Sequence, residues 1–524
     1  MSTSESATPV YDVLIVGAGL AGLTLSQQLL DADPALRICL VHNRRFPNAE
    51  KVHKVGESTV EIGAYYLREI VGCGHHLEGD HLRKMGLRFI RTSQTGYREM
   101  GLPTYPYHRT YQIDRGRLEN HLHERLIDRV TLLETMKAVD TVREEDAYRT
   151  CVRDQRGALS TLRSRWIVDA SGRGRMLMRK FGLQTDTGID HSAVWFRLAG
   201  KVDINAFMTS ERDDDPFRAV PDRSASTTHF VGKGYWVWII RLDETATSIG
   251  IVFDNTLHDL SAMSSHPLAM AWLARHEPRL HAYLEGEEFE RLDFSMMRNY
   301  SYLASCFLST DQWAVTGEAA GFVDPMYSNG IDLIGLTNTM ITNAITGRCD
   351  RAEITRMNDL LRDVYHGFIA THRDSLRRFD EWDYLFVKSN WDTTFYFLFM
   401  CVLFMNGKFA TLDFPHGIYA LIKELYALHD EVMTCLRDPE RMGRYDDLPD
   451  FISLVGSIQD YANRTIVSAD RSDAAIIAKL EHNADILRHL AASILERKDF
   501  DVEFRAVFDR LDAGMGAAPA VRAA

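Results

Sequence analysis

The 524-residue sequence lacks the cysteine patterns that mark disulfide-linked, redox or zinc-binding proteins. Its seven cysteines are never closer than 34 residues apart, so no C-x-x-C pair exists. The odd, scattered count is typical of a reducing compartment. The N-terminal stretch MSTSESATPV has neither a basic nor an apolar segment, which argues against an export signal. We therefore expect a cytoplasmic protein.

Excess positive charge, long apolar runs and metal-ligand spacings are also missing. The net charge of −13 argues against nucleic acid and anionic membranes as partners. The most apolar segment, Phe395 to Phe404, has about half the length that spans a bilayer, so we predict a buried helix or a pocket wall. His75, His76, His121 and His123 lack the spacing of a known metal site, and no metal is expected.

The stretch from Tyr11 to Asn43 has the pattern of a strand, a glycine-rich turn, a helix and a second strand. Gly17, Gly19 and Gly22 form G-x-G-x-x-G directly after the first strand. Such glycines let the backbone approach a pyrophosphate, and the following helix offers unpaired N–H groups at its N-terminus. The sequence therefore predicts a dinucleotide-binding βαβ unit.

The second strand ends without the carboxylate that usually binds the ribose hydroxyls. His42 and Asn43 stand there instead, and either side chain can hydrogen-bond a hydroxyl. The adenine-ribose selectivity therefore cannot be predicted from this position.

Strands and helices alternate on both sides of a segment with a different pattern, which predicts an α/β fold. Between about residues 192 and 253 the apolar period is two, as in an antiparallel sheet. In that segment Trp236, Trp238 and Ile240 share one predicted strand face. We divide the chain into residues 1–190, an inserted sheet at 191–300, a return segment at 301–349 and a helical region at 350–524.

The chain resembles the flavin-dependent halogenase family, a branch of the FAD monooxygenase superfamily, in four stretches: GAGLAG near the start, KVGESTV at 54–60, WIVDASGRGRML at 166–177 and TGEAAGFVDPMYSNGID at 316–332. The resemblance implies an FAD-binding, Rossmann-like domain of the p-hydroxybenzoate hydroxylase type. It further implies that the inserted antiparallel sheet lies on the substrate side and that the helical C-terminal region covers the substrate.

The resemblance also implies which residues bind FAD. Arg115 is expected against the cofactor, although a surface salt bridge on its helix is the alternative. Glu318 stands where the family usually has Asp, near the ribityl chain. The full implied set is Gly17, Gly19, Gly22, His42, Gly56, Glu57, Ser58, Arg115, Glu318 and Gly321.

The family motif W-x-W-x-I-P is present as Trp236, Trp238 and Ile240, with Arg241 in place of the proline. By resemblance these side chains line a tunnel between flavin and substrate. The alternative, from the sequence alone, is that the tryptophans are sheet core.

In this family, reduced flavin from a partner reductase, O2, and chloride or bromide yield hypohalous acid. A lysine then hydrogen-bonds the acid or carries the halogen as a haloamine to an electron-rich ring. Lys84 is the best match for that lysine. A slip of four residues would place Arg88 there, and a solvated Lys84 before a turn is the structural alternative.

The resemblance places the halide on the backbone amides of Asn329 and Gly330, since N–H groups in a turn suit small anions. We name Ser328, with Lys84, as a candidate catalytic residue. The tryptophan-specific subclass has Glu before this serine, and Tyr327 stands here instead. We therefore predict the non-tryptophan subclass, with a phenol, pyrrole or indole-type substrate that is free or carrier-bound.

Two other functions stay open at this point. Arg241 and the SNG turn favour an FAD-dependent hydroxylase or dehydrogenase of the same fold without halogenation. A non-catalytic flavin-binding partner protein would leave the two-tryptophan strand and the Lys84 region unexplained.

Overall fold

The structure is a computed structural model that describes residues 10–49, 54, 56–93, 96–208, 215–218, 220, 222–287, 289–410, 414, 417–442 and 448–497. Its strands are β1 Val10–Val16, β2 Ile38–Val41, β3 Leu82–Arg83, β4 Leu87–Thr92, β5 Tyr97–Gly101, β6 Tyr111–Gln112, β7 Thr131–Leu133, β8 Lys137–Arg143, β9 Tyr148–Arg153, β10 Leu159–Asp169, β11 Gln184–Thr185, β12 His191–Ala199, β13 Thr227–Gly232, β14 Tyr235–Arg241, β15 Ala246–Asp254, β16 Ser295–Met297, β17 Tyr302–Ala304, β18 Leu308–Ser309, β19 Trp313–Val315, β20 Gly321–Phe322 and β21 Phe451–Ser453.

The α-helices are α1 Leu20–Ala32, α2 Glu61–Tyr65, α3 Gly74–Asp80, α4 Arg115–Leu126, α5 Met176–Lys180, α6 His266–His276, α7 Pro278–Gly286, α8 Gly330–Ile345, α9 Arg351–His372, α10 Trp382–Phe395, α11 Val402–Met405, α12 Tyr419–Arg437, α13 Ile458–Arg464 and α14 Asp473–Leu495. Two π-helical turns are Tyr66–Ile70 and Tyr396–Cys401. Short 3-10 turns are Gly172–Gly174, Ile204–Ala206, Leu260–Met263, Gly317–Ala319 and Ser375–Arg378.

The first sheet has a parallel centre in the strand order β19-β10-β1-β2-β7. The apolar residues of β1 and β2 are buried there because helices cover a parallel sheet on both faces. The antiparallel β18 and the β8–β9 hairpin extend this sheet. The predicted βαβ unit is present, and ligands of such sheets bind outside the carboxyl ends of the strands.

The second sheet has the order β16-β12-β15-β14-β13-β4-β5-β21 and is mostly antiparallel. Along β14, Trp236, Trp238 and Ile240 belong to one apolar core, while Tyr235 and Val237 belong to another. The predicted alternation is therefore correct.

The sequence predicts that this sheet lies within residues 191–300, but the sheet also includes strands from outside that range. The strand β4 pairs in parallel with β13, and β21 pairs in parallel with β5. These pairings join segments more than a hundred residues apart, so no local pattern could reveal them. The division of the chain into domains remains a prediction.

The C-terminal part is helical, as expected, apart from β21. The predicted buried segment at 395–404 continues α10 through a π-helical turn into α11, and its apolar side chains are buried. No helix in the described ranges is both long and apolar enough to cross a membrane. The helix α4 begins at Arg115, where the Asp114 carboxylate accepts hydrogen bonds from the N–H groups of Gly116 and Arg117.

Candidate functional site

A cavity of about 990 Å³ lies at the carboxyl ends of the parallel strands. This volume is at the upper end of the usual range for cofactor pockets. It is lined by nine of the ten residues predicted to bind the cofactor: Gly17, Gly19, His42, Gly56, Glu57, Ser58, Arg115, Glu318 and Gly321. We refer to it as the large cavity.

The three glycines of the motif differ in the space around a Cβ atom added at each position. A Cβ on Gly17 would lie 2.2 Å from the Ala170 carbonyl oxygen, and one on Gly22 would lie 2.0 Å from the Gly17 carbonyl oxygen. Both positions therefore serve the packing of strand and helix, and Gly22 does not line the cavity. A Cβ on Gly19 would meet open space. Gly19 is the N-cap of α1, and no side chain blocks access to its backbone. An accessible helix N-terminus of this kind can bind a pyrophosphate.

The end of β2 presents a neutral histidine to the large cavity. His42 accepts a hydrogen bond at Nδ1 from the backbone N–H of Ala18, at 3.3 Å. Burial, with the nearby Lys54 charge, lowers the pKa of His42 to about 4. The other ring nitrogen can therefore donate a hydrogen bond, as a ribose hydroxyl requires.

Arg115 lines the large cavity and pairs with a residue of its own helix, but the ion pair is largely buried rather than on the surface. Its contact with the cofactor remains a prediction. Its Nη2 lies 2.7 Å from Oε1 of Glu119, a fully buried carboxylate that also contacts Lys54. Burial raises the pKa of Glu119, but Arg115 and Lys54 outweigh it and hold the pKa below its usual range. Lys54 and Glu119 were missed by the sequence reasoning, although the Arg-x-x-x-Glu spacing was visible.

Two predicted carboxyl groups in the large cavity hold their protons more tightly than usual. Burial raises the pKa of Glu57 to about 7, against a hydrogen bond with Ser248. The Ser248 hydroxyl also accepts the indole N–H of Trp238 at 3.1 Å. Burial likewise raises the pKa of Glu318, although Arg115 is close. The Glu57 carboxyl group can therefore act as a hydrogen-bond donor near neutral pH.

The predicted tunnel residues Trp236, Trp238 and Ile240 line the large cavity and are also core residues. Arg241, which replaces the family proline, is not among the residues that line it. Its Nη1 donates to Asp222 at 3.1 Å and to the Ser224 hydroxyl at 2.8 Å. Arg241, in place of the proline, therefore forms an ion pair with Asp222 at the end of β14.

Lys84 lies in the turn between β3 and β4 and is buried, with 1% of its surface exposed. Its Nζ donates to the Ser58 hydroxyl at 3.0 Å and to the Thr59 carbonyl at 2.9 Å. Burial lowers the pKa of Lys84 to about 8, although Glu61 and Asp332 oppose the shift. The alternative of a solvated lysine is wrong.

Arg88 lies in a structural ion pair instead. Its guanidinium binds Glu99 through two hydrogen bonds of 2.7 and 3.0 Å, and Glu99 also contacts the buried Arg223. Arg88 is not among the residues that line either cavity described here. Geometry therefore favours Lys84 over Arg88 for the predicted lysine position.

A second cavity of about 110 Å³ lies on the other side of Lys84, and we call it the small cavity. Ser58, which accepts from Lys84, lines the large cavity, and Asn329 lines both cavities. The Ser58 side chain therefore lies between Lys84 and the large cavity. The polar lining of the small cavity includes Tyr327, which the sequence analysis named only for its place before Ser328. It also includes Glu61, Asp392, Tyr396 and Asn463, which lie outside the motif stretches and were missed by the sequence reasoning.

The turn before α8 brings Ser328, Asn329 and Gly330 to the large cavity. Ser328 has a φ of 59°, in the left-handed region that is unfavourable for a residue with a Cβ. Asn329 is the N-cap of α8, and the first N–H groups of a helix have no partner within it. Such a terminus can bind a small anion.

No group of three or more metal-ligating side chains is found in the part of the chain that the structure describes. In the predicted histidine set, the rings of His76 and His121 stack with centroids 4.1 Å apart. Nδ1 of His76 lies 2.9 Å from Oδ2 of Asp80.

Several known proteins are similar to this chain in sequence. A family model described as lycopene cyclase protein matches residues 12–193. The flavin-dependent halogenase chlA of Dictyostelium discoideum is 27% identical over 383 residues, which cover 65% of this chain and 61% of that protein. The 1H-pyrrole-2-carbonyl-[peptidyl-carrier protein] chlorinase of Pseudomonas fluorescens is 24% identical over 404 residues, which cover 72% of this chain and 84% of that protein.

The fold is that of solved flavoproteins. The crystal structure of the halogenase PltM aligns with a TM-score of 0.66 at 13% identity, covering 91% of this chain and 97% of that one. A flavoprotein/dehydrogenase from Cytophaga hutchinsonii aligns with a TM-score of 0.55 at 21% identity, covering 70% and 88%. The sequence similarity to named flavin-dependent halogenases supports FAD as the predicted cofactor. The chain is therefore similar, in sequence and in fold, to the flavin-dependent halogenases.

Proposed function

We propose that this protein is an FADH2-dependent halogenase that makes hypohalous acid from chloride or bromide and delivers it to an electron-rich aromatic ring. The observation that carries the proposal is the place of Lys84, a buried amine between a cofactor-sized cavity and a small cavity.

FAD fits the large cavity, where Gly19 would face its pyrophosphate and His42 a ribose hydroxyl. Reduced FAD, supplied by a separate reductase, provides with O2 the two-electron oxidation that turns halide into hypohalous acid. Arg115 and Lys54 bring positive charge to the same wall, and Trp236 and its neighbours exclude water from it. We propose that the N–H groups of Asn329 and Gly330 hold the halide, because they stand at a helix N-terminus in that cavity.

Lys84 then transfers the halogen. Its neutral amine attacks hypohalous acid, forming an N–halogen bond and releasing water. The substrate ring attacks that halogen and the N–halogen bond breaks. The ring then loses a proton and the nitrogen takes one up, which restores the neutral amine. Burial favours the neutral amine, and Ser58 and Thr59 hold the nitrogen at the boundary between the cavities.

The substrate class follows from the small cavity. Its volume of about 110 Å³ is comparable with a cavity of about 150 Å³ that holds benzene, so it suits a single ring. One relative is named as acting on a carrier-bound pyrrole, and the PltM structure has been solved with phloroglucinol and FAD. We propose a phenol or pyrrole, free or tethered to a carrier protein.

The proposal is tested by incubating the purified chain with FAD, a flavin reductase, NADH, bromide and a set of phenols and pyrroles. We expect products with the paired bromine isotope masses, and none when the reductase is left out. Hydroxylated product with direct NAD(P)H oxidation by the chain alone would instead support the alternative hydroxylase.

A further inference from the structure

We propose that Asp392 anchors the substrate, its carboxylate accepting a hydrogen bond from a hydroxyl or ring N–H on a single aromatic ring in the small cavity. The inference rests on the proposed function, because it assigns the substrate class of that same site.

Asp392 has one carboxylate oxygen without a partner. It lies on α10 and lines the small cavity, with 4% of its side chain exposed. Its Oδ2 accepts from Lys388 Nζ and from the Tyr327 hydroxyl, the latter at 2.8 Å. Its Oδ1 is buried and has no hydrogen-bond partner among the residues that the structure describes. A buried acceptor of this kind is costly unless a ligand supplies the donor.

The carboxylate is held in a fixed direction. Lys388 stands one helical turn before Asp392 on α10, and 1% of its side chain is exposed. Tyr327 approaches the same oxygen from the turn that leads into α8. Burial raises the pKa of Asp392, while Lys388 opposes the shift, and a donor from the substrate would further favour the charged form.

The anchor and the reactive amine line the same cavity, so a ring bound at Asp392 through its hydroxyl presents another carbon to Lys84. A ring without an O–H or N–H leaves Oδ1 unpaired. Sites built to bind a donor discriminate strongly against analogues that lack it. We therefore infer that the substrate is a phenol or an unmethylated pyrrole rather than an ether or a hydrocarbon.

The probes are phenol and toluene, which have similar shapes and differ in the donor. Their dissociation constants are measured with FAD-loaded protein by equilibrium dialysis, without halide or reductant. In Asp392→Asn, the two donors at Oδ2 direct the amide oxygen toward themselves and turn the NH2 group toward the ligand. We expect the preference for phenol over toluene to fall about 10- to 100-fold relative to wild type.

Asp460→Asn is the matched control, because Asp460 lines the same cavity but pairs with Arg464. It should keep the wild-type preference within about twofold. If Asp392→Asn does not fold, the double variant Lys388→Met, Asp392→Leu removes both charges and takes its place. An unchanged preference in the folded variant would overturn the anchor, even if wild type halogenates phenol. A lost preference without any halogenated product would support the anchor and reject the proposed function.

Discussion

A lysine amine attacks hypohalous acid only when it is neutral, and the burial of Lys84 increases the neutral fraction. Since its pKa is lowered to about 8, about a tenth of the amines are neutral at pH 7. We expect the rate of halogenation in single turnovers to rise with pH through about 8. Lys84→Arg should give no product at any pH, because arginine stays charged and cannot carry the halogen.

Lys479 is the matched control for this pH profile. Burial also lowers its pKa to about 8, but it lies on α14 and donates to Ser468 away from both cavities. Lys479→Arg should leave the profile unchanged. A wild-type rate that fell above pH 8 would show that the lysine acts as a charged hydrogen-bond donor instead.

Arg241 tests whether the missing family proline matters for function. Its guanidinium is nearly buried and binds Asp222, Ser224 and Glu244. We expect Arg241→Pro to lower the free energy of unfolding by about 1 to 3 kcal/mol, because it removes these bonds and a backbone donor. Urea denaturation measures this, with FAD binding as the second readout. A more stable variant with tighter FAD binding would contradict the structural role.

At the scale of elements, two glycines of the turn and helix after β1 have different roles. Gly22 is needed for packing, and Gly19 is expected to be needed for FAD binding. Gly22→Ala places a Cβ against the Gly17 carbonyl, so we expect it to cost about 1 to 3 kcal/mol of stability. Gly19→Ala adds a methyl group to open space, so the fold should be unchanged while FAD binds about tenfold more weakly. Urea midpoints and FAD fluorescence titration measure the two effects. Equal FAD affinity in folded Gly19→Ala would place the pyrophosphate elsewhere.

The contact between α2 and α8 depends on a buried carboxyl group. Asp332 accepts from the Gly63 N–H at 2.7 Å and from the Tyr396 hydroxyl at 2.6 Å, and burial raises its pKa to about 8. A raised folded-state pKa stabilises the fold at low pH, and this contribution is lost as pH rises toward 8. Wild type should therefore lose stability relative to Asp332→Asn between pH 5 and 8, by at most about 1.4 kcal/mol per pH unit.

Urea denaturation of both proteins across this range measures the difference. The exposed Asp485→Asn is the control and should run parallel to wild type. Parallel curves for Asp332→Asn and wild type would show that Asp332 is ionised in the folded protein at pH 5.

At the scale of the whole molecule, Asn329 lines both cavities, and the proposed function predicts that the oxidant passes between them without entering bulk water. We expect product formation by wild type to be insensitive to methionine, which scavenges hypohalous acid in solution. Trp236→Ala opens the wall of the large cavity and should make product formation sensitive to methionine. Val237→Ala, on the opposite face of the same strand, should not. A wild-type yield that falls in proportion to methionine would reject internal delivery.

The sequence by itself determined what depends on local spacing. The glycines at 17, 19 and 22, the alternation along β14 and the apolar segment at 395–404 each fix a strand, a turn or a buried helix through neighbours in the chain. The FAD motifs belong to this class, because the backbone around a pyrophosphate is built within about thirty residues.

Only the tertiary structure decided which residue meets which across the molecule. Lys84 and Arg88 are four residues apart in one turn and strand, and burial beside Ser58 distinguishes them. The carboxylate of Asp392 reaches the small cavity because α10 packs against the turn that carries Tyr327, 65 residues earlier. Such contacts depend on how distant elements pack, and burial then sets the pKa of each group, so no local pattern encodes them.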